Sequence, residues 1–318
     1  MFSIGIDFGG TKILIGIINQ DGEIIKSIKR NVPRTKHIDE IIELTSATIE
    51  DLFSDSKISL SNISGIGVAA PGIVDADKGI LIYAPNWSIR NFPIKKIFSD
   101  KYSMPVKVYN DVNAAAIGEL HFGHGREENS FFWITISTGI GGALVINGEL
   151  LLGNSGLAGE IGHIIIEDNG PLCKCGRKGC LESLASGTAI ASLARKKIKN
   201  GAVFHKIDPK INIDEITAET VIMAAHADDS EAISLLEEVA RNISKALSYV
   251  VNLADVDLMV IGGGVMESNG LLFKFIDKNM KRYVYEYDQR NVKLARPALG
   301  YNSSLVGAGA LILKDKNL

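Results

Sequence analysis

The sequence predicts an α/β protein of two domains, one of which carries a metal-binding loop. A strand, a glycine turn and a second strand open the chain, and the same order recurs near residue 135. Apolar stretches of strand length alternate with segments whose apolar residues have helical spacing. At 318 residues the chain is long enough for two modest domains with sizeable cores.

The composition argues against several classes of protein. The formal net charge is -3, so the chain has no basic excess for binding nucleic acid or an anionic membrane. Neither a secretory signal nor an apolar run of transmembrane length is visible. Clustered cysteines without such a signal suit a reducing compartment. We therefore expect a cytoplasmic protein that binds neither nucleic acid nor membrane.

The first domain opens with a predicted antiparallel meander of three strands over residues 2–30. Its first turn follows Asp7 and contains Gly9, Gly10, Thr11 and Lys12. Exposed N–H groups of a glycine turn can hold a phosphate, and an acid at the strand end can orient magnesium through water. The alternative is an ordinary hairpin in which Asp7 only forms the turn.

Two further places in this half offer polar groups at the ends of strands. Asn86 follows a short apolar strand in a loop that could face a polar ligand, although a plain turn residue is the alternative. Asn110 and Asp111 lie where a strand over 106–109 gives way to a helix. Asp111 is either the N-cap of that helix or a carboxylate that accepts a proton from a substrate hydroxyl.

A second meander begins at Phe131 and repeats the design of the N-terminus. Its glycine turn contains Thr138, Gly139 and Gly141. A repeat of this kind suggests two related halves, each presenting one phosphate-holding turn. Neither turn has the spacing of a Walker loop or of the dinucleotide fingerprint, which disfavours a Rossmann dehydrogenase.

All 3 cysteines of the chain lie in one short stretch. Cys173, Cys175 and Cys180 follow His163, and three thiols with an imidazole are the ligands of a closed tetrahedral zinc site. Inert buried thiols and a disulfide are the alternatives. Cys173 and Cys175 are too close for relaxed disulfide geometry, and charged neighbours argue against core packing.

The C-terminal part is predicted to be mainly helical, with helices near 187–199, 217–226, 229–253 and 270–284. A buried strand at 258–261 ends in Gly262, Gly263 and Gly264. Three glycines let a flat ring lie against the backbone, which predicts a nucleoside site; a plain tight turn is the alternative.

Over nearly its whole length the chain resembles the ROK family of sugar kinases and related repressors, within the actin-like ATPase superfamily. The resemblance rests on seven motifs: Asp7 to Lys12, Ala70 to Gly72, Asn110 to Glu119, Thr138 to Gly142, Gly159 to His163, Cys173 to Glu182 and Ile261 to Gly264. It implies an actin-like, ribonuclease H-like fold with a zinc-bound loop. The expected domains are 1–112 plus 300–318, and 113–299.

The resemblance also implies an activity: ATP-dependent phosphorylation of a hexose at its 6-hydroxyl, with ATP and sugar meeting between two domains. Asp111 would be the general base, with ATP and Mg2+ held by the two glycine turns, Asp7 and Gly262 to Gly264. His163 would bind zinc through one ring nitrogen and the sugar through the other. The residues expected to contact the sugar are Asn86, Asn110, Asp111, Glu160, His163 and Glu182.

The expected enzyme is a glucokinase or a broad-specificity hexokinase. An N-acetylmannosamine or N-acetylglucosamine kinase and a fructokinase are alternatives. A sugar-responsive repressor belongs to a different class; it would carry a DNA-reading domain ahead of the first strand, for which Phe2 leaves no room. An actin-like scaffold or chaperone ATPase would not explain the cysteine stretch. The resemblance favours a homodimer or a homotetramer.

Overall fold

The computed structural model describes residues 1–33, 37–54, 58–84, 87–267 and 269–314. Its contacts divide the chain into two compact units. The first unit contains residues 1–129, 143–158 and 297–318, and the second contains residues 130–142 and 159–296. These units differ from the expected domains mainly in where residues 113–129 and 143–158 belong, and the expected domain boundaries stay a prediction.

The strands of the described residues, in chain order, are β1 (Phe2–Phe8), β2 (Lys12–Asn19), β3 (Ile24–Asn31), β4 (Ile63–Ala70), β5 (Ile73–Asp75), β6 (Ile80–Ala84), β7 (Ile89–Phe92), β8 (Val106–Asn110), β9 (Phe131–Ile136), β10 (Ile140–Ile146), β11 (Glu149–Leu150), β12 (Leu258–Gly262) and β13 (Lys293–Ala295). The helices are α1 (Ile38–Ser54), α2 (Ile94–Tyr102), α3 (Asp111–Phe122), α4 (Leu181–Ala185), α5 (Gly187–Lys199), α6 (Ala218–His226), α7 (Ser230–Ala254), α8 (Gly264–Glu267), α9 (Gly270–Tyr283) and α10 (Ser303–Leu313).

The first unit is built on a five-stranded sheet with the order β3-β2-β1-β4-β8. The β1, β2 and β3 strands pair antiparallel, which confirms the predicted meander, and β4 and β8 extend the sheet in parallel. Both faces of β1 and β4 are apolar and buried, as expected for central strands covered on two sides. A smaller sheet, β5-β6-β7, follows β4.

Helix α10 packs its backbone directly against this sheet and against α3. A side chain at Gly67 would overlap the carbonyl of Ala308, and one at Gly307 would overlap the carbonyl of Ala114. Glycine at these two positions therefore permits a close approach that no other residue allows. Residues Leu305 to Ile312 of α10 are all buried.

A second five-stranded sheet repeats the order of the first. Its strand order is β11-β10-β9-β12-β13, so a strand, a glycine turn and a second strand again lie beside a parallel strand, here β12 against β9. Helices α5, α6, α7 and α9 follow the predicted segments to within a few residues. In the part of the chain that the structure describes, none of the helices has the length and hydropathy needed to cross a membrane.

Candidate functional site

The first glycine turn connects β1 and β2 at the edge where the parallel strands end. The N–H of Gly9 donates to the carbonyl of Lys12 at 2.9 Å, which closes the turn, and Thr11 and Lys12 are exposed. Asp7 lies in β1 just before the turn. Burial, and after it the charge of Asp111, raise the pKa of Asp7 to about 7. A divalent ion with oxygen ligands, such as magnesium, would offset the repulsion between these two carboxylates.

Asn110, rather than Asp111, is the N-cap of α3. Its Oδ1 accepts hydrogen bonds from the backbone N–H groups of Val112 at 2.9 Å and Asn113 at 3.3 Å. Its Nδ2 donates to the carbonyl of Gly72 at 2.9 Å and so ties the start of α3 to the loop after β4. Asp111 is instead the first residue of the helix, and the Oδ1 of its half-buried carboxylate also accepts the N–H of Val112 at 2.9 Å.

The predicted metal ligands come together in the second unit. One ligand atom from each of His163, Cys173, Cys175 and Cys180 lies within 4.8 Å of every other. The Sγ atoms of Cys175 and Cys180 are 3.6 Å apart, close to the roughly 3.8 Å edge of a tetrahedron with zinc–sulfur bonds of about 2.3 Å. The four side chains therefore fit a zinc ion, and the predicted zinc-binding loop is confirmed as a Cys3His cluster.

The local backbone explains how such a short loop collects three thiols. Cys173 donates its N–H to the carbonyl of Arg177 at 2.7 Å, and Gly176 returns its N–H to Cys173 at 2.9 Å. Arg177, through its backbone N–H and its side chain, lowers the pKa of the exposed Cys175 to about 6. Burial raises the pKa of Cys180, so a bound metal would have to displace its proton.

His163 directs one defined nitrogen at the thiols. Its Nδ1 lies 3.8 Å from the Sγ of Cys173, which leaves Nε2 for another partner. Glu160 directly precedes the short helical turn that contains His163, and its side chain is exposed. The sequence motif therefore brings the acid and the imidazole to one end of the cysteine loop.

Glu182 contacts the second glycine turn. It is the second residue of α4, which begins directly after Cys180, and its Oε2 accepts the N–H of Ile140 at 3.0 Å. A side chain at Gly139 would overlap this carboxylate oxygen. Glu182 thus connects the cysteine loop with the turn between β9 and β10.

A cleft of about 660 Å³ opens beside this turn, within the second unit. Thr138 and Gly264 line it, as expected for a nucleotide site, whereas Gly139, Gly141, Gly262 and Gly263 are not among its lining residues. The other lining residues come mainly from the first turns of α5 and α6 and from α8: Ser137, Gly187, Thr188, Ala191, Arg195, Thr217, Ala218, Glu219, Ile222, Val265 and Glu267.

Groups of both charges line the cleft. The helix dipoles give the first turns of α5 and α6 a partial positive charge, whereas Glu219 and Glu267 add two carboxylates to the lining. Arg195 lines the same cleft, and its guanidinium is held in place by a hydrogen bond to the carbonyl of Ile216 at 2.7 Å. Thr188 donates to the carbonyl of Thr138 at 2.8 Å and fixes the glycine turn against α5.

Gly263 and Gly264, which follow β12, meet different structural requirements. Gly263 has φ +95°, and a side chain there would overlap the backbone of Ile136 in β9. Gly264 faces the cleft, where the nearest atom to an added Cβ is the Oγ of Ser137 at 3.9 Å. Close packing accounts for Gly263, and an open cleft floor accounts for Gly264.

The remaining predicted residue, Asn86, lies outside the described residues. Sequence patterns did not identify Thr188, Arg195, Thr217 or Glu219 as residues of the cleft. The available signal was the start of two helices, since Ser186 and Thr217 are capping residues whose side chains accept backbone N–H groups. Nothing local to the sequence shows that both helix ends face the second glycine turn.

Comparison with protein families and curated relatives gives a consistent result. The model of the ROK family matches residues 3–315. A glucokinase of Halalkalibacterium halodurans is 34% identical over 322 residues, covering 99% of this chain and 96% of that protein. A xylose repressor of Caldicellulosiruptor bescii is 29% identical and covers 98% of this chain, which spans 78% of that repressor.

Among solved structures, the ROK family glucokinase of Streptomyces griseus in complex with glucose and AMPPNP has a TM-score of 0.84. The two chains are 31% identical, and the match covers 99% of this chain and 100% of the other. This similarity confirms the expected mixed α/β fold.

Proposed function

Because the chain belongs to the ROK family, we propose that it is a hexose kinase that transfers the γ-phosphoryl group of ATP to the 6-hydroxyl of its sugar. The observation that carries the proposal is the 34% identity to a glucokinase over nearly the full length of both chains. Glucose is the substrate that we propose first. The exact specificity, ATP:glucose 6-phosphotransferase activity, is part of the proposal.

Asp111 acts as the general base in this proposal. Asn110 supplies the cap of α3, and the carboxylate of Asp111, the next residue, accepts the proton of the attacking hydroxyl. Its position at the first turn of α3 also favours the negative charge. Asn110 and Asn86 are proposed to hydrogen-bond other hydroxyls of the sugar.

The two glycine turns hold the phosphates. Gly9, Gly10, Thr11 and Lys12 form the first turn, and the segment from Thr138 to Gly141 forms the second. Magnesium, when bound with ATP near Asp7, would neutralise charge on the transferring group. The cleft of about 660 Å³ takes the nucleoside, with Arg195 and the first turns of α5 and α6 near its polar groups.

Glu160, His163 and Glu182 bind hydroxyls on the remaining part of the sugar. Each hydroxyl is both a donor and an acceptor, and carboxylates with an imidazole satisfy both needs. Zinc in the Cys3His cluster would hold His163 in one tautomer and orientation, leaving Nε2 for the sugar. A kinase that uses ATP and keeps three reduced cysteines suits the cytoplasm. The homodimer or homotetramer stays a prediction.

A panel of hexoses tests the proposal. We expect kcat/KM with ATP and magnesium to be highest for glucose or mannose and lower for fructose, N-acetylmannosamine and N-acetylglucosamine. A preference for an N-acetylated sugar would favour an N-acetylhexosamine kinase instead, and a preference for fructose would favour a fructokinase. If no sugar is phosphorylated above background, the kinase proposal fails. Sugar-dependent binding to operator DNA would then favour the repressor class.

A further inference from the structure

The carboxylate of Glu182 occupies a hydrogen-bond donor of the second glycine turn. Its Oε2 accepts the N–H of Ile140 at 3.0 Å, and it lies where a side chain of residue 139 would otherwise be. The N–H groups of such a turn are the groups that hold an anion. In this arrangement one of these N–H groups, that of Ile140, already donates to a carboxylate of the protein itself.

The shape of the turn does not depend on Glu182. The N–H of Ser137 donates to the carbonyl of Gly139 at 2.9 Å, and the N–H of Gly187 donates to the carbonyl of Ser137 at 2.7 Å. Thr188 holds the carbonyl of Thr138 from the same side. These three bonds involve no charged group, so they remain when the carboxylate leaves. The N–H of Ile140 can therefore exchange Glu182 for another acceptor while the turn keeps its shape.

A carboxylate at this place opposes the binding of a phosphate in two ways. It removes one donor, and it places a negative charge beside the position where the phosphate oxygens would lie. A ligand hydroxyl that draws Glu182 away from Ile140 removes both obstacles.

We propose that Glu182 couples sugar binding to nucleotide binding, an inference that rests on the proposed hexose kinase function. Without sugar, Glu182 binds the N–H of Ile140 and weakens the affinity for ATP. When a sugar hydroxyl takes the carboxylate, the N–H becomes available to a phosphate oxygen. Sugar and nucleotide therefore bind with positive cooperativity, and ATP is poorly held when water is the only acceptor.

Titration calorimetry with AMPPNP and magnesium tests the coupling. In the wild type, saturating glucose should lower the Kd for AMPPNP by a factor within the usual range of about 5 to 150. In Glu182→Gln, which keeps an acceptor but removes the charge, the sugar-free Kd should be at least about 5-fold lower than in the wild type. The ratio between the two Kd values should fall to about 2 or less. Equal sugar-free affinities and an unchanged ratio in both proteins would overturn the proposal.

Two matched variants separate this effect from general changes in the second unit. Glu167→Gln removes an exposed carboxylate close to the cysteine loop and should leave both Kd values as in the wild type. Thr188→Ala removes a bond that braces the same turn, and it should not strengthen sugar-free AMPPNP binding. If Thr188→Ala strengthens it as much as Glu182→Gln does, loosening of the turn explains the result and the proposal is wrong.

Hydrogen exchange of the wild type keeps the test independent of how the Glu182 variant folds. The amide of Ile140 should be protected in the free protein and exchange faster when glucose alone is bound. Unchanged protection with glucose bound would contradict the release of this N–H. Hexose phosphorylation by the wild type is measured in the same samples. If it is present while coupling is absent, only the coupling fails; if the wild type neither binds AMPPNP nor phosphorylates a hexose, both proposals fail.

Discussion

The carboxylates of Asp7 and Asp111 repel each other in the first unit. Burial is the larger cause, and the charge of Asp111 the second, of a rise in the pKa of Asp7 to about 7. Asp7 is the last residue but one of β1 and Asp111 is the first residue of α3, at the edge of the sheet that carries the first glycine turn. Ionising both acids lowers the stability of the free protein, and a cation bound between them would offset this repulsion.

Asp7→Asn should stabilise the free protein at pH 8. In the unfolded chain Asp7 ionises from about pH 4, whereas in the folded chain it keeps its proton up to about pH 7. Its contribution to the free energy of unfolding therefore falls as pH rises between these values. We expect a gain of about 1–2 kcal/mol at pH 8, because residual solvent contact reduces the effect of the full pKa shift, and a smaller gain at pH 5. Urea unfolding without magnesium or nucleotide measures both, and an equal gain at the two pH values would contradict the assignment.

Asp111→Asn should abolish turnover while preserving sugar binding. Removing a general base usually lowers kcat by about 10²- to 10⁴-fold, and the shape of the side chain is retained. Asp100→Asn is a suitable control, since Asp100 is an exposed carboxylate on α2 that pairs with the surface side chain of Lys96 at 2.6 Å. Coupled assays give kcat, and calorimetry gives the Kd of the sugar. Full activity in Asp111→Asn would remove Asp111 as the base.

Cys175→Ser should lose zinc and weaken sugar binding. Cys175 is the exposed ligand of the cluster, so the substitution removes a thiolate with little change in core packing. Elemental analysis should find about one zinc per wild-type chain and much less in the variant, with a sugar KM raised about 10-fold or more. Lys174→Ala, in the same loop, should keep both zinc and KM. A variant that has lost zinc but keeps the wild-type KM for the sugar would show that the Cys3His cluster has only a structural role.

Arg195→Ala should weaken nucleotide binding but not sugar binding. The guanidinium lines the cleft and is anchored on the carbonyl of Ile216, so its loss removes a fixed positive charge. We expect the KM for ATP to rise about 10-fold, the effect of losing roughly 1.4 kcal/mol, with the sugar KM nearly unchanged. Lys196→Ala changes an exposed neighbour on α5 that does not line the cleft and should match the wild type. An unchanged KM for ATP in Arg195→Ala would contradict the proposal that the nucleotide binds in this cleft.

Local patterns predicted the strands of the two meanders, β8 and β12, the helices α5, α6, α7 and α9, and the four side chains of the metal site. The cysteine spacing limits the loop to a few conformations, and apolar spacing of helices such as α7 is strong over many residues. The cap of α3 was not decided by the sequence, because Asn110 and Asp111 are equally good capping residues and only the backbone selects one. The bond between Glu182 and Ile140 spans 42 positions, and no local pattern encodes it.

The identity of the phosphorylated product is the most direct test of the proposed activity. The purified protein is incubated with glucose, ATP and magnesium, and the products are followed by phosphorus NMR. We predict glucose 6-phosphate and ADP in equal amounts, with neither formed at a comparable rate by Asp111→Asn. Release of inorganic phosphate without any sugar phosphate, in the presence of the full hexose panel, would contradict the assignment of this chain as a hexose kinase.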